Sequence, residues 1–483
     1  MPTTVPPLPG AAMPEAEPPA QSAGGGGAPS AGLGFAFLPP AAVLAPALYG
    51  MQAILLSLSL AGLSIPSQSH AYHHYFWAAV ASVVLLLGLI ATNFRLGAMA
   101  FPALSGPMAL IRDALGEPFG SIARGGVLTE TVLVVAVSVA AGAQILLALP
   151  GLQRIAGPPA LAPIGIVLLV TLASLPGAER MQRTAQTLFV GFFVLSSVLL
   201  FAFGLAGPHL GWRTLPAMTD PAWPADYRGA NAAPVLGLVS ILVVLRAVAA
   251  GASSLNGWVL PRSEGAEHRP TANRTGILRA AGLLVLLMLG YAALANNFQV
   301  AYWAQRSGHS PAFVVRVSAL VFGTKGPGAL LRFISPMGAF LILLGAASSR
   351  FTVLPHAVGP MTSAISPPLS SRDSRRLRLL VGFAAVLVLF AARGDVDRLV
   401  GPCTAAVFLL LTLMQCGLAA RFLRNPGPRC ALRAAVGAVG GCGTAVILFV
   451  LAFSDPVGTI TTVGAVAAIS LLPRRILWPS DSP

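Results

Sequence analysis

Leu245-Arg246-Ala247-Val248-Ala249-Ala250-Gly251-Ala252-Ser253-Ser254-Leu255-Asn256 lies in the middle of an apolar stretch, residues 233–260, that is long enough to cross a bilayer. A helix that stays regular in lipid gains nothing from a run of small residues that closes on Ser253, Ser254 and Asn256. Each amide freed there would cost several kcal/mol in hydrocarbon. Unwound backbone at that depth therefore survives only where protein buries it or where it lines a cavity. Interrupted spans of this kind hold solutes and coupling ions in secondary transporters. The ordinary alternative is close helix packing through small residues, and the rest of the chain decides between the two.

The chain has 483 residues, of which 55% are hydrophobic and 9% charged, with a mean hydropathy of +0.79. Soluble domains carry about 25% charged residues, so the composition predicts an all-α polytopic membrane protein. Apolar stretches long enough to span occur at 36–63, 75–97, 126–150, 160–176, 185–207, 233–260, 276–297, 328–350, 377–393, 398–420, 432–453 and 457–473, which predicts about 12 transmembrane helices. Only Ser454, Asp455 and Pro456 part the last two, as in a tight helical hairpin. Between the second and third stretches, 98–118 reads as a bend and a short amphipathic piece. The net charge of +15 is spread over short loops with no continuous basic stripe, which argues against nucleic acid as a partner. With the N-terminus placed inside, Arg is denser in the inner loops than in the outer ones. This predicts two cytoplasmic termini. Residues 1–34, rich in Pro, Gly and Ala, cannot bury enough surface to fold and read as a disordered cytoplasmic tail. Residues 35–476 form the transmembrane domain, and 477–483 a short C-terminal tail.

The chemistry available is sparse. No phosphate-binding glycine loop of the G-x-x-x-x-G-K-[ST] type occurs, and no nucleophile–base pair, so neither an enzyme nor a cofactor is expected. Cys403, Cys416, Cys430 and Cys442 make no metal-binding pair and read as small packing residues. His70, His73 and His74 fall in the first outer loop without Cys or carboxylate companions. Glu130 is the one acidic residue inside a stretch, and an intramembrane ionisable group is a functional candidate by default. It would carry a coupling proton, or else sit at the inner end of span 3 beside Arg124. Arg246, inside span 6, would meet an anionic solute or serve structure. Arg350 ends span 8 and is expected at the interface.

Two stretches are interrupted. Leu38-Pro39-Pro40 and Pro46 break the first before Tyr49-Gly50, and the run above breaks the sixth. Breaks five spans apart point to inverted repeats of five, about 36–207 and 233–420, with accessory helices at about 432–473. Four stretches then resemble, in order, the amino acid–polyamine–organocation superfamily, and within it the bacterial branch of potassium–proton symporters and related permeases. Ala42-Val-Leu-Ala-Pro-Ala-Leu-Tyr49-Gly50-Met-Gln52-Ala-Ile is similar to D-A-L-S-S-V-A-Y-G-P-E-E-I. Glu130-Thr131-Val-Leu-Val134-Val-Ala-Val-Ser138 is similar to D-Y-V-L-T-V-A-V-S. Leu245 to Gly257 is similar to L-R-A-F-A-S-G-C-T-A-L-T-G, and Ser348-Ser349-Arg350-Phe351 with Pro355 to N-T-S-F-A-D-F-P.

The resemblance implies a leucine-transporter-like 5+5 inverted repeat with broken helices 1 and 6, plus two extra helices. It further implies a permease in the cytoplasmic membrane of a bacterium, with the lipid bilayer as its surroundings. A proton or monovalent cation would be the coupling partner, and the oligomeric state stays open, a homodimer among the options. The departures are specific. Ala42, Thr131, Val134, Val259 and Val353 stand where the family pattern has Asp, Tyr, Thr, Glu and Asp. A dehydrated cation needs oxygen ligands, carboxylates above all, so these changes argue against a potassium symporter. A neutral or zwitterionic solute such as an amino acid is the expected substrate. Tyr49, Ser138, Gly251, Ser253, Ser254, Asn256, Ser348 and Ser349 are expected to bind it, helped by Gln52, with Glu130 as proton carrier. Two other readings stand beside it: a transporter-derived sensor or scaffold that no longer transports, and a cation (potassium) uptake permease.

Overall fold

A computed structural model describes residues 41–58, 70–100, 107–149, 152, 160–175, 179–207, 238–256, 270–298, 312–323, 328–358, 371–424, 427 and 429–471. The expected tails, Leu38-Pro39-Pro40, the loop 208–232 and the part of span 6 beyond Asn256 lie outside these residues.

Every regular element among the described residues is helical. Hydrocarbon offers the backbone no water, so a chain this apolar must satisfy each amide within its own helix. Span 1 is Ala41–Leu44 with Pro46–Leu58. Spans 2 to 5 are His70–Ala100, Glu117–Leu147, Leu161–Ala173 and Glu179–Phe201, the last running into a π turn at Ala202–Ala206. Span 6 is Leu238–Gly251 with a 3₁₀ turn at Ala252–Leu255. Spans 7 to 12 are Pro270–Asn297, Gly328–Val358, Ser371–Ala391, Val396–Arg424, Cys430–Ser454 and Pro456–Leu471. Eight of these are long and apolar enough to cross a membrane. Spans 4, 6 and 12 are shorter, and span 9 opens on Arg372, Asp373, Arg375, Arg376 and Arg378. All twelve expected stretches therefore fall on helices, and the amphipathic piece is the helix Pro107–Leu115.

The packing carries the repeat. Spans 1, 2, 3 and 4 each lie against the span five places later, 6, 7, 8 and 9. The crossing of spans 1 and 6 is intimate. A Cβ built on Gly50 would lie 2.5 Å from Ser254 Cβ, and one on Gly251 would lie 2.5 Å from Ile54 Cγ1. Span 12 turns back directly from span 11, where Asp455 Oδ1 accepts the Gly458 N–H at 3.0 Å and caps the new helix.

Three expectations are corrected. Span 3 starts at Glu117, after Gly116 at φ 99°, and not near 126. Gly125 and Gly126 look like a boundary in the sequence but are contact points. A Cβ on Gly125 would press on Val466 O of span 12 at 2.5 Å, and one on Gly126 on Leu410 of span 10 at 2.7 Å. Glu130 consequently sits more than three turns inside its helix. Span 8 continues to Val358, so Arg350 is interior and not interfacial. His70, His73 and His74 open the helix of span 2 and do not lie in a loop. The cysteines also divide: Cys403 is buried, whereas Cys416 and Cys442 are exposed on the outer surface of the helices.

Candidate functional site

Proline removes one helical donor, and Pro46 has no N–H to offer the Ala42 carbonyl four residues before it. The helix of span 1 breaks at Ala45 and restarts, with Leu48 N–H donating to Ala45 O at 3.1 Å. Span 6 breaks differently. Its α-helix ends at Gly251 and tightens into a 3₁₀ turn. Asn256 then leaves helical geometry at φ −58°, ψ 131°, its N–H still held by Ser253 O at 3.1 Å. The two interruptions face each other through Gly50 and Ser254.

Five spans bring polar groups to this crossing. Span 1 contributes Tyr49, span 3 Glu130, span 6 Ser253, Ser254 and Asn256, span 8 Arg350 and span 10 Cys403, and all are buried. The Asn256 Nδ2 donates to Cys403 Sγ at 3.3 Å. Arg350 NH2 lies 2.7 Å from Glu130 Oε1, with both side chains almost wholly buried. The Tyr49 hydroxyl lies beside Asn256 and within electrostatic reach of Cys403, Arg350 and Glu130. Among the described residues Glu130 is the only buried carboxylate. Of the settings weighed for Glu130, the inner end of span 3 beside Arg124 is not the one found: the carboxylate pairs with Arg350 of span 8.

The pair is close but poorly aligned. Neither oxygen of Glu130 makes a directed hydrogen bond, nor do Nε and NH2 of Arg350. The hydroxyls of Thr131, Ser138, Ser253 and Ser254, and Oδ1 of Asn256, are likewise buried without a protein partner. Each such group costs about 1–3 kcal/mol when left unmatched. Native interiors hold few of them, so their concentration around two helix breaks fits a place completed by a guest.

The remaining expected residues divide. Gly251 is at the crossing, and Ser138 is buried along span 3, one turn before Gly142 approaches Phe340 of span 8. Ser348 faces span 5. Gln186 Nε2 donates to its hydroxyl at 3.3 Å and Gln182 Nε2 to its carbonyl at 2.8 Å. The Ser349 hydroxyl is spent on Ala346 O at 2.8 Å. Gln52 Oε1 receives the Phe313 N–H at 3.5 Å, at the start of the short helix Phe313–Phe322. Arg246 lies on the exposed side of span 6. Cys403 and Arg350 were missed as site residues. Only Arg350 left a signal, a charge inside an otherwise apolar stretch.

The chain is 25% identical over 387 residues to the potassium transporter KimA of Bacillus subtilis. The match covers 78% of this chain and 59% of that protein, so the chain spans about three-fifths of the relative's length. No protein-family model matches the chain. Among solved structures it is similar to a Na⁺-coupled sialic acid symporter, at 12% identity and TM-score 0.45, covering 88% of this chain and 89% of that one. It is also similar to the manganese transporter of Eremococcus coleocola, at 13% identity and TM-score 0.48, covering 90% and 92%.

Proposed function

We propose that the protein is a secondary transporter that carries a small zwitterion of the amino-acid kind by alternating access. The observation that supports this reading is the buried Glu130–Arg350 pair, with unmatched hydroxyls around it, at the crossing of two broken spans. Removing one partner of a buried ion pair costs about 3–5 kcal/mol. A zwitterion replaces both partners at once: its carboxylate takes the Arg350 guanidinium and its ammonium takes Glu130. Planar guanidinium suits a carboxylate in two-pronged fashion. Ser253, Ser254, Tyr49 and Asn256 Oδ1 would satisfy what remains. An alkali cation or a simple anion matches one side only and leaves the other charge bare. When the solute leaves, the two side chains rejoin and neutralise the empty site.

The breaks at Ala45 and Gly251 give spans 1 and 6 the hinges that access from alternate sides requires. Glu130 is the group through which a coupling proton would pass: the proton would open the pair with Arg350 before the solute enters and leave as the solute's ammonium takes its place on the carboxylate. The distribution of arginine supports two cytoplasmic termini, and the bacterial relative supports a bacterial membrane.

Potassium uptake is the second reading, favoured by the name of the B. subtilis relative. The Arg350 guanidinium counts against it, because it already neutralises the one buried carboxylate among the described residues. Uptake into proteoliposomes separates the readings. The wild type is expected to accumulate at least one amino acid, and Asn256→Leu to insert but not transport. Uptake of rubidium in place of amino acids would favour the cation reading. No flux of either from well-inserted protein would favour a non-transporting sensor or scaffold.

A further inference from the structure

We propose that the Arg350 guanidinium is a tethered counter-ion that stands in for a free coupling cation, so that binding at the crossing needs neither sodium nor potassium. This rests on the reading of the crossing as the transport site. A carboxylate buried in a membrane protein must find positive charge, from the protein, from a proton or from a bound metal cation. Glu130 finds it in the protein, 2.7 Å away, on the Arg350 guanidinium. Its tether is short and firm, because span 8 packs along span 3 and Arg350 is itself buried in that contact.

A cation that entered beside this pair would meet a like charge in a medium of low dielectric. The surrounding oxygens are nonetheless those a cation would use. The Tyr49 hydroxyl and the Asn256 side chain lie together here, Asn256 Oδ1 and the Ser253 and Ser254 hydroxyls are buried without a hydrogen-bond partner, and Glu130 supplies the charge. A hard monovalent ion is held by several such oxygens. What excludes it is the guanidinium. Shortening Arg350 to serine would vacate that volume, add a hydroxyl and free the carboxylate, and so create a cation site where none operates.

The test is thermal unfolding of the full-length protein in detergent, in sodium, potassium and choline chloride at matched ionic strength. For the wild type the midpoint is expected to be the same in all three salts. Arg350→Ser is expected to unfold at a lower temperature in choline and to recover saturably in sodium or potassium. Glu130→Gln/Arg350→Gln, which lacks both charges, is expected to ignore the cation. A saturable rise of the wild type in sodium or potassium would overturn the proposal. So would an Arg350→Ser protein that gains nothing, including one that fails to fold in every salt, since the ion then does not replace the guanidinium. A double variant that responds like Arg350→Ser would put the cation elsewhere and overturn it too. None of these readings depends on which solute is carried, so a failed amino acid screen and a failed counter-ion are told apart.

Discussion

The crossing of spans 1 and 6 and the seam between spans 10 and 11 are made of the same kinds of residue. Both use glycines to bring backbones together: Gly50 and Gly251 at the crossing, Gly437, Gly440 and Gly441 at the seam. Both bury hydroxyls. At the seam the hydroxyls are spent. Thr412 bonds Phe408 O at 2.7 Å and Thr444 Oγ1 at 3.0 Å, and Thr444 returns to Gly440 O at 3.0 Å. Asn93 of span 2 reaches Val436 O at 3.2 Å. Gln415, buried with its amide unmatched, is the exception. At the crossing the hydroxyls of Ser253 and Ser254 are unspent, and an opposite-charge pair stands among them. Small residues therefore report close approach in both places. Unspent polar groups and buried charge set the crossing, the proposed binding place, apart from the packing seam.

The contrast is sharpest for charge. Glu130→Ala leaves Arg350 buried and alone, and is expected to cost about 3–5 kcal/mol, read as a fall in the unfolding midpoint. Thr444→Val at the seam is expected to cost about 1 kcal/mol and to leave uptake unchanged. Equal losses would erase the distinction. Steric tests come next. Gly50→Val drives a side chain into Ser254 and is expected to cost about 1–3 kcal/mol by overpacking, with loss of uptake. Gly88→Ala, on a face of span 2 with nothing within 4 Å, is expected to be neutral or to gain up to about 1 kcal/mol from helix propensity. Asn256→Leu is expected to change stability by about 1.5 kcal/mol, because it gives up a weak bond to sulfur and a neutral contact with Tyr49, yet to abolish binding. The smallest effect is expected at Ser254→Ala. Removing an unmatched buried hydroxyl should leave the midpoint unchanged or raise it slightly, while solute affinity falls. A clear loss of stability there would mean that the hydroxyl is already bonded and that the crossing resembles the seam.

Helix order was legible because hydropathy alone sets it in lipid, and so were the two breaks, because Pro46 and the run to Asn256 have no place in a regular span. The ends of spans 3 and 8 were not. Gly125, Gly126 and Arg350 look like boundaries when solvation is judged along the chain, but Leu410, Val466 and Glu130 meet them from other helices. The same limit hid the partner of Glu130, 220 positions away in sequence, and the place of Cys403, which differs from an ordinary packing cysteine only through Asn256. Ser348 and Ser349 share a sequence neighbourhood with Arg350, but the helix turns Ser348 toward span 5 and ties the Ser349 hydroxyl to its own backbone.

The most direct measurement is a thermal-shift screen of purified protein against amino acids, polyamines, nucleobases and monovalent cations, run in parallel on Asn256→Leu. A ligand that binds only the folded state raises its apparent stability. At least one zwitterionic amino acid is predicted to raise the wild-type midpoint and to have no effect on the variant. A hit that survives Asn256→Leu, or silence across the panel from well-folded protein, would contradict the assignment of the crossing as the binding place.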